Sequence, residues 1–222
     1  MAKLKEPIET EIQIPFEDFD LNGELIAPAQ AAGVVLFAHG SGSSRHSPRN
    51  QFVARTLRQR GVGTLLFDLL TQEEEEEDRH TGHFRFDINL LAERLLGATR
   101  WFHQGEPGSL IGYFGSSTGA AAALVAEAHS EVPIRAIVSR GGRPDLAGPA
   151  LPQVKAATLL IVGGEDTAVI QMNKEAYAQM HSPKEMRTIA GATHLFEEPG
   201  TLEQVAEMAA QWFDRHFRSE SS

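Results

Sequence analysis

The chain has 222 residues, enough to bury a substantial core, and its 30 acidic against 20 basic side chains leave a net charge of −10, which argues against nucleic acid or an anionic membrane as the main partner. There is no cysteine, which excludes disulfides, thiolate zinc sites and a cysteine nucleophile. No apolar run approaches membrane-spanning length and no hydrophobic segment follows Lys3 and Lys5, so neither a membrane anchor nor a signal peptide is expected, and the simplest location is cytoplasmic.

Residues 8–27 are expected to form two antiparallel strands with a turn near Asp20-Leu21-Asn22-Gly23, because Ile12, Ile14 and Phe16 alternate with polar neighbours. The continuous apolar run from Val34 to Ala38 predicts a strand covered on both faces. It leads into His39-Gly40-Ser41-Gly42-Ser43-Ser44. Ser47-Pro48 then reads as N-cap and first helical residue of a helix that carries Phe52, Val53 and Leu57 and stops at Gly61.

The next strand is expected from Thr64 to Asp68. The polar excursion after it, with Glu73 to Glu77, reads as a solvated loop, since a charge run usually is one. Ile88, Leu91, Leu95, Ala98 and Phe102 mark one helix face at 3.6 spacing. An apolar strand from Leu110 to Phe114 and an alanine-rich helix after Gly119 follow, with Gly115-Ser116-Ser117-Thr118-Gly119 between them. Further on come a strand from Ile134 to Ser139, an irregular Gly/Pro-rich loop over 140–155, and a strand from Thr158 to Val162. Then follow a helix with Val169, Asn173, Ala176, Tyr177 and Met180 on one face, and a short last strand from Glu185 to Ile189. Thr201 and Gln204 read as a capping box at the head of a final helix, whose core face is Val205, Met208, Ala209, Trp212 and Phe213, and residues 219–222 are expected to fray. Strands alternating with helices demand a mostly parallel sheet with helices on both faces. No internal repeat or linker divides the chain, so residues 1–222 are expected to form a single domain.

In such sheets, sites form at the carboxyl ends of the strands, and the chemistry-bearing residues fall there. Gly115-Ser116-Ser117-Thr118-Gly119 is a G-x-S-x-G pattern between strand and helix, the setting in which the central serine is exposed as a nucleophile. A serine hydroxyl needs a base, and the base an orienting acid. His194 follows the last strand. His39 ends a buried strand and is expected to be structural, bonded to backbone, and His129, His181 and His216 fall late in helices. Asp166 follows the strand ending at Val162. Asp145 is its rival, read as a turn aspartate, and Glu165 is one residue out of register. The oxyanion of the attacked carbonyl needs backbone N–H donors, worth about 3 kcal/mol each; Thr118 and Ser41 are the candidates. Ser139-Arg140-Gly141-Gly142-Arg143 offers Arg140 and Arg143 for an anionic substrate group, with surface salt bridging an equal alternative. The histidines show no H-E-x-x-H or similar spacing, so no metal is expected.

Through His39-Gly40-Ser41-Gly42, Gly115-Ser116-Ser117-Thr118-Gly119, Gly163-Gly164-Glu165-Asp166 and Gly191-Ala192-Thr193-His194, the chain resembles an α/β-hydrolase from about Val34 onward, and more narrowly the dienelactone hydrolase-like group. The order Ser117, Asp166, His194 is that of α/β-hydrolase triads. Dienelactone hydrolases themselves use a cysteine nucleophile; here Ser117 stands in that place. The resemblance implies the α/β-hydrolase fold and a serine carboxylesterase that works through an acyl-enzyme with no cofactor. It also allows a neighbouring phosphoribosyltransferase domain, which similar modules can have. The expected partner is a small ester, with the protein a monomer or a homodimer. Acyl transfer or amide and peptide hydrolysis by the same triad, and a non-catalytic binding module on the same fold, stay open as other readings. The elements use nearly all of the chain, which leaves no segment for a cap domain. A shallow cleft rimmed by Arg140, Arg143, His80 and His83 and a preference for short acyl chains are therefore expected.

Overall fold

The structure is a computed structural model that describes residues 6–218. Residues 1–5 and 219–222, where the expected C-terminal fraying falls, lie outside the described residues. Eight strands form one open sheet, β1 (Ile8–Pro15), β2 (Asp20–Ala27), β3 (Val34–Ala38), β4 (Gly63–Phe67), β5 (Ile111–Ser116), β6 (Ile134–Arg140), β7 (Ala157–Gly163) and β8 (Lys184–Ile189), in the order β1-β2-β4-β3-β5-β6-β7-β8. From β4 to β8 the strands are parallel; β1 and β2 run antiparallel at one edge. The chain winds outward from β3 to β4, returns to β5, and winds outward again to β8. The order therefore reverses between β3 and β5, the position at which parallel sheets open a crevice for a ligand.

The described residues form six α-helices, α1 (Pro48–Gln59), α2 (Gln72–Thr81), α3 (Ile88–Gly105), α4 (Thr118–Ala128), α5 (Thr167–Gln179) and α6 (Thr201–Arg218), and all but α2 contribute to the cores on the two faces of the sheet. Two cores result. Val53 and Leu57 of α1 and Val205, Ala209 and Phe213 of α6 pack on one face, and Leu91, Leu95 and Phe102 of α3, Leu124 of α4 and Ala176 of α5 on the other. The β3 strand shows why its sequence is apolar throughout. Val34, Leu36 and Ala38 enter one core while Val35 and Phe37 enter the other, so every position is removed from water.

Four local expectations are corrected. The first turn lies at residues 16–19, where Phe16 N–H donates to the Phe19 carbonyl (2.8 Å) and the two rings stack at 5.0 Å. Asn22 and Gly23 are inside β2 instead, and Gly23 is there for packing: a Cβ would stand 3.0 Å from Phe67 Cβ. The Glu73–Glu77 run is not a loop but the body of α2, started by a reciprocal capping box between Thr71 and Glu74 and ended by left-handed Gly82. Residues 144–153 are largely 3₁₀ helix, broken at Gly148 (φ 47°). At the head of α6 there is no capping box. The Thr201 hydroxyl donates to the Glu198 carbonyl (2.7 Å), and the Gln204 side-chain amide donates to the Gly200 carbonyl (3.1 Å).

Candidate active site

β5 ends at Ser116 and α4 begins at Thr118, so a single residue makes the turn. That residue, Ser117, has φ 51° and ψ −123°, a conformation disfavoured for any side chain and held only when its surroundings enforce it. The enforcement is steric. A Cβ on Gly115 would lie 2.4 Å from Ala120 Cα, and one on Gly119 would lie 2.1 Å from the Ala38 carbonyl oxygen. Both flanking positions are closed to a side chain, which explains the glycines of the motif. The elbow is also tied to the loop after β6, where Ser117 N–H donates to the Arg140 carbonyl (3.4 Å) and Arg143 N–H donates to the Ser117 carbonyl (3.1 Å).

The loop after β3 lies against this elbow. A Cβ on Gly40 would reach within 2.9 Å of Ser117 Cβ, and Ser41 Oγ is 3.1 Å from Thr118 Oγ1. Among the described residues, the N–H of Ser41 and that of Thr118, the first of α4, donate to no protein acceptor. Free N–H groups at a helix start, with the dipole behind them, favour negative charge. His39 holds the loop from below. Its Nε2 accepts from Leu69 N–H (3.0 Å), which leaves Nδ1 as the donor to the Gly40 carbonyl (3.1 Å). Burial pushes the His39 pKa below its usual value, so the ring is neutral and structural.

Asp166 and His194 arrive from the next two strand ends. Gly163 and the 192–193 backbone approach so closely that a Cβ on Gly163 would be 2.5 Å from two carbonyl oxygens, and the contact draws the two turns together. Asp166 Oδ2 is 2.7 Å from His194 Nδ1, while its other oxygen caps α5 by accepting from Val169 N–H (3.4 Å). Asp145, the rival acid, is held instead by Arg143 through two bonds (2.9 and 2.8 Å). The His194 Cε1 edge faces Gly141, where an added Cβ would be 3.7 Å away. His194 therefore stands beside the loop after β6, which is hydrogen-bonded to the Ser117 elbow. No hydrogen bond joins Ser117 to His194 in the described residues, a common feature of ligand-free sites that tighten on binding substrate.

Two supports of the site were not foreseen. Glu198 braces the His194 turn by accepting from Thr193 N–H (3.1 Å) and from the Thr193 hydroxyl (2.6 Å), and Arg49 of α1 reaches Glu197 in the same segment (3.1 Å). A short-range Thr–Glu pairing in Thr193-His194-Leu195-Phe196-Glu197-Glu198 was the available signal. The two candidate arginines also differ. Arg143 is occupied by Asp145, whereas Arg140 is buried and its Nε and Nη1 find no partner. His80 is exposed on α2, and the His83 ring packs edge-on to Phe84. Beside the Ser41–Thr118 contact lies a cleft of about 90 Å³ lined by His39, Ser41, Leu70, Asp78, Leu91 and Thr118. Among the described residues no group of three or more His, Asp or Glu is placed to hold a metal ion, and no helix is long and apolar enough to cross a membrane.

A dienelactone hydrolase structure from Anabaena variabilis superposes with a TM-score of 0.93, at 54% identity over 96% of this chain and 100% of that one. This chain belongs to the dienelactone hydrolase-like group of the α/β-hydrolases. Two Mycobacterium tuberculosis proteins that carry the provisional name phosphoribosyl transferase are 53% identical over 210 residues, which is 94% of this chain but 46% of theirs. The hydrolase-like chain thus spans about half the length of those curated relatives. No family model matches it. Two more distant structures share the fold: Est1E from Butyrivibrio proteoclasticus (TM-score 0.77, 16% identity, 93% of this chain and 98% of that one), and a serine hydrolase without lid from Xanthomonas campestris (0.75, 18%, 93% and 94%).

Proposed function

We propose that this α/β-hydrolase is a serine carboxylesterase that cleaves small, short-acyl esters through an acyl-enzyme. The observation that carries the reading is the 2.7 Å pairing of Asp166 with His194 beside a serine forced to positive φ at a helix start. Ser117 Oγ attacks the ester carbonyl while His194 Nε2 takes its proton. Asp166 holds the Nδ1–H in place and favours the imidazolium that forms. The N–H groups of Thr118 and Ser41 receive the oxyanion. His194 then returns the proton to the departing alcohol, and water, activated by the same imidazole, releases the acid.

The dienelactone hydrolase relative and the esterase-like fold neighbours support the same class of chemistry. The test is Ser117→Ala. It should abolish turnover of p-nitrophenyl acetate and labelling by a fluorophosphonate probe without loss of fold. Full activity in Ser117→Ala, with loss in Ser116→Ala, would overturn the assignment.

A further inference from the structure

We propose that Asn173 is a positioning residue of the triad: its buried amide ties the helix that carries Asp166 to the loop that holds the Ser117 elbow. This rests on the esterase reading above, in which Ser117, His194 and Asp166 act together. Asn173 lies midway along α5, among the apolar residues of its inner face, and is fully buried. Its Nδ2 donates to the Gly142 carbonyl (3.0 Å) and to the Val169 carbonyl (2.8 Å), while its Oδ1 finds no partner. Both contacts are acceptors, which fixes the amide with its nitrogen toward them.

Packing does not require an amide at this position. Ala176, one turn further on, belongs to the same core as Ala147 and Leu151 of the segment after the β6 loop, so an apolar side chain at 173 would hold α5 there as well. A buried amide with an unpaired acceptor is unfavourable. The polar residue is therefore explained by what it bonds to.

Gly142 and Val169 belong to the two halves of the site. On the side of the nucleophile, Ser117 N–H donates to the Arg140 carbonyl (3.4 Å) and Arg143 N–H donates to the Ser117 carbonyl (3.1 Å). Gly142, between those two, lies against the first turn of α4, since an added Cβ would be 2.5 Å from Ala120 Cβ. On the side of the base, Val169 N–H donates to Asp166 Oδ1 (3.4 Å), and Asp166 Oδ2 is 2.7 Å from His194 Nδ1. One amide thus bridges the halves, and among the described residues no other side chain of α5 bonds to residues 140–143. The sheet also joins them, where Gly141 N–H donates to the Ile161 carbonyl (2.8 Å). That contact fixes β7, however, and not the turn beyond it that carries Asp166. Without Asn173 the head of α5 is free to shift against the elbow, and with it the His194 ring against Ser117. The proposed oxyanion donors, Ser41 and Thr118, make no bond to Asn173, so substrate binding is spared.

The experiment measures kcat and KM for p-nitrophenyl acetate per active site, with the sites counted by the end-point of fluorophosphonate labelling. In Asn173→Leu, which keeps a similar volume and loses both hydrogen bonds, kcat per labelled site should fall about ten- to hundredfold, as for a small misplacement of reacting groups, with a smaller change in KM. Asn173→Ser can still bond back to the Val169 carbonyl but is too short to reach Gly142. It should show the same loss, and it serves should the leucine variant fail to fold. Tyr177→Phe removes a different hydrogen bond of α5, to the Lys184 carbonyl (3.4 Å) at the start of β8, and should leave kcat per site unchanged. A purely structural Asn173 would lower the melting temperature and the number of labelled sites but not kcat per site. That result in both variants, a loss confined to KM, or an equal loss of kcat in Tyr177→Phe overturns the proposal. Labelling of the wild type separates the two readings. A labelled wild type with unchanged variants removes only the role of Asn173, and an unlabelled wild type removes the serine-hydrolase reading beneath it.

Discussion

His39 Nε2 accepts the backbone N–H of Leu69 at 3.0 Å while Nδ1 donates to the Gly40 carbonyl. One buried imidazole thus joins the loop after β3, which carries Ser41, to the loop after β4. Its folded-state pKa is lowered from 6.5 by burial. The unfolded chain therefore binds the proton more readily, so the contribution of His39 to stability is present above pH 6.5 and is lost as pH falls from there through the folded pKa. We predict that the wild type loses thermal stability over this acidic range and that His39→Gln, less stable at pH 8, shows a flatter profile. Melting temperatures from pH 8 to 5 check this, and parallel slopes would contradict it. Because the same contact sets the Ser41 N–H, His39→Gln should also lower kcat for an activated ester more than it raises KM.

Asp166 and Asp145 give a second prediction. Asp166 is bonded to the His194 ring and Asp145 to Arg143. An asparagine at 166 would support the wrong imidazole tautomer and should cost about 10⁴ in kcat. Asp145→Asn should leave the tautomer intact and cost far less. Steady-state rates of the two variants decide it, and a larger loss at Asp145 would reverse the roles.

The elbow gives a third. Ser117 is held at φ 51°, ψ −123°, a strain of about 1–3 kcal/mol for a residue with a Cβ. Ser117→Gly should relieve it and raise the melting temperature while abolishing turnover. Ser117→Ala keeps the Cβ and should gain less. Calorimetry on the two variants tests the difference. A Ser117→Gly protein less stable than Ser117→Ala would mean that the turn is not strained.

What the sequence disclosed and what it concealed follow from one distinction. Strands such as Val34–Ala38 are buried on both faces, so composition alone marks them, and each strand end then marks a loop of the site. The Ser117 elbow was legible because the G-x-S-x-G pattern lies within one strand–turn–helix unit, although only Gly115 is enforced from inside that unit and Gly119 answers to the end of β3. The α2 helix was not, because Glu73 to Glu77 present no apolar face. That helix is set by the Thr71–Glu74 caps and by the Asp78–Arg85 pair (2.6 Å) beyond its end. The turn signal of Asn22-Gly23 misled for the opposite reason: Gly23 answers to Phe67, a residue of another strand. The fates of Arg140 and Arg143 were equally hidden, since one turn residue, Asp145, neutralises the second and leaves the first alone in the core.

The last prediction concerns acyl length. The cleft beside Ser41 and Thr118, the proposed oxyanion donors, is about 90 Å³, room for about three waters at their liquid volume, and on the esterase reading for an acyl tail of a few carbons. We take its floor to be closed by Asp78 and Arg85, both of which line it. The Asp78 side chain is buried there and paired to Arg85, whose carbonyl accepts from Ser41 Oγ (3.4 Å), so a longer chain cannot extend downward without breaking a buried ion pair. It would have to turn out toward solvent, where the gain per CH₂ falls well below the ~0.8 kcal/mol of full burial. We therefore expect kcat/KM for p-nitrophenyl esters to peak at butyrate or shorter. In Asp78→Ala, which opens the floor at a cost in stability, the peak should shift to longer chains. A steady rise through octanoate in the wild type would show a deep apolar channel and contradict the closed floor.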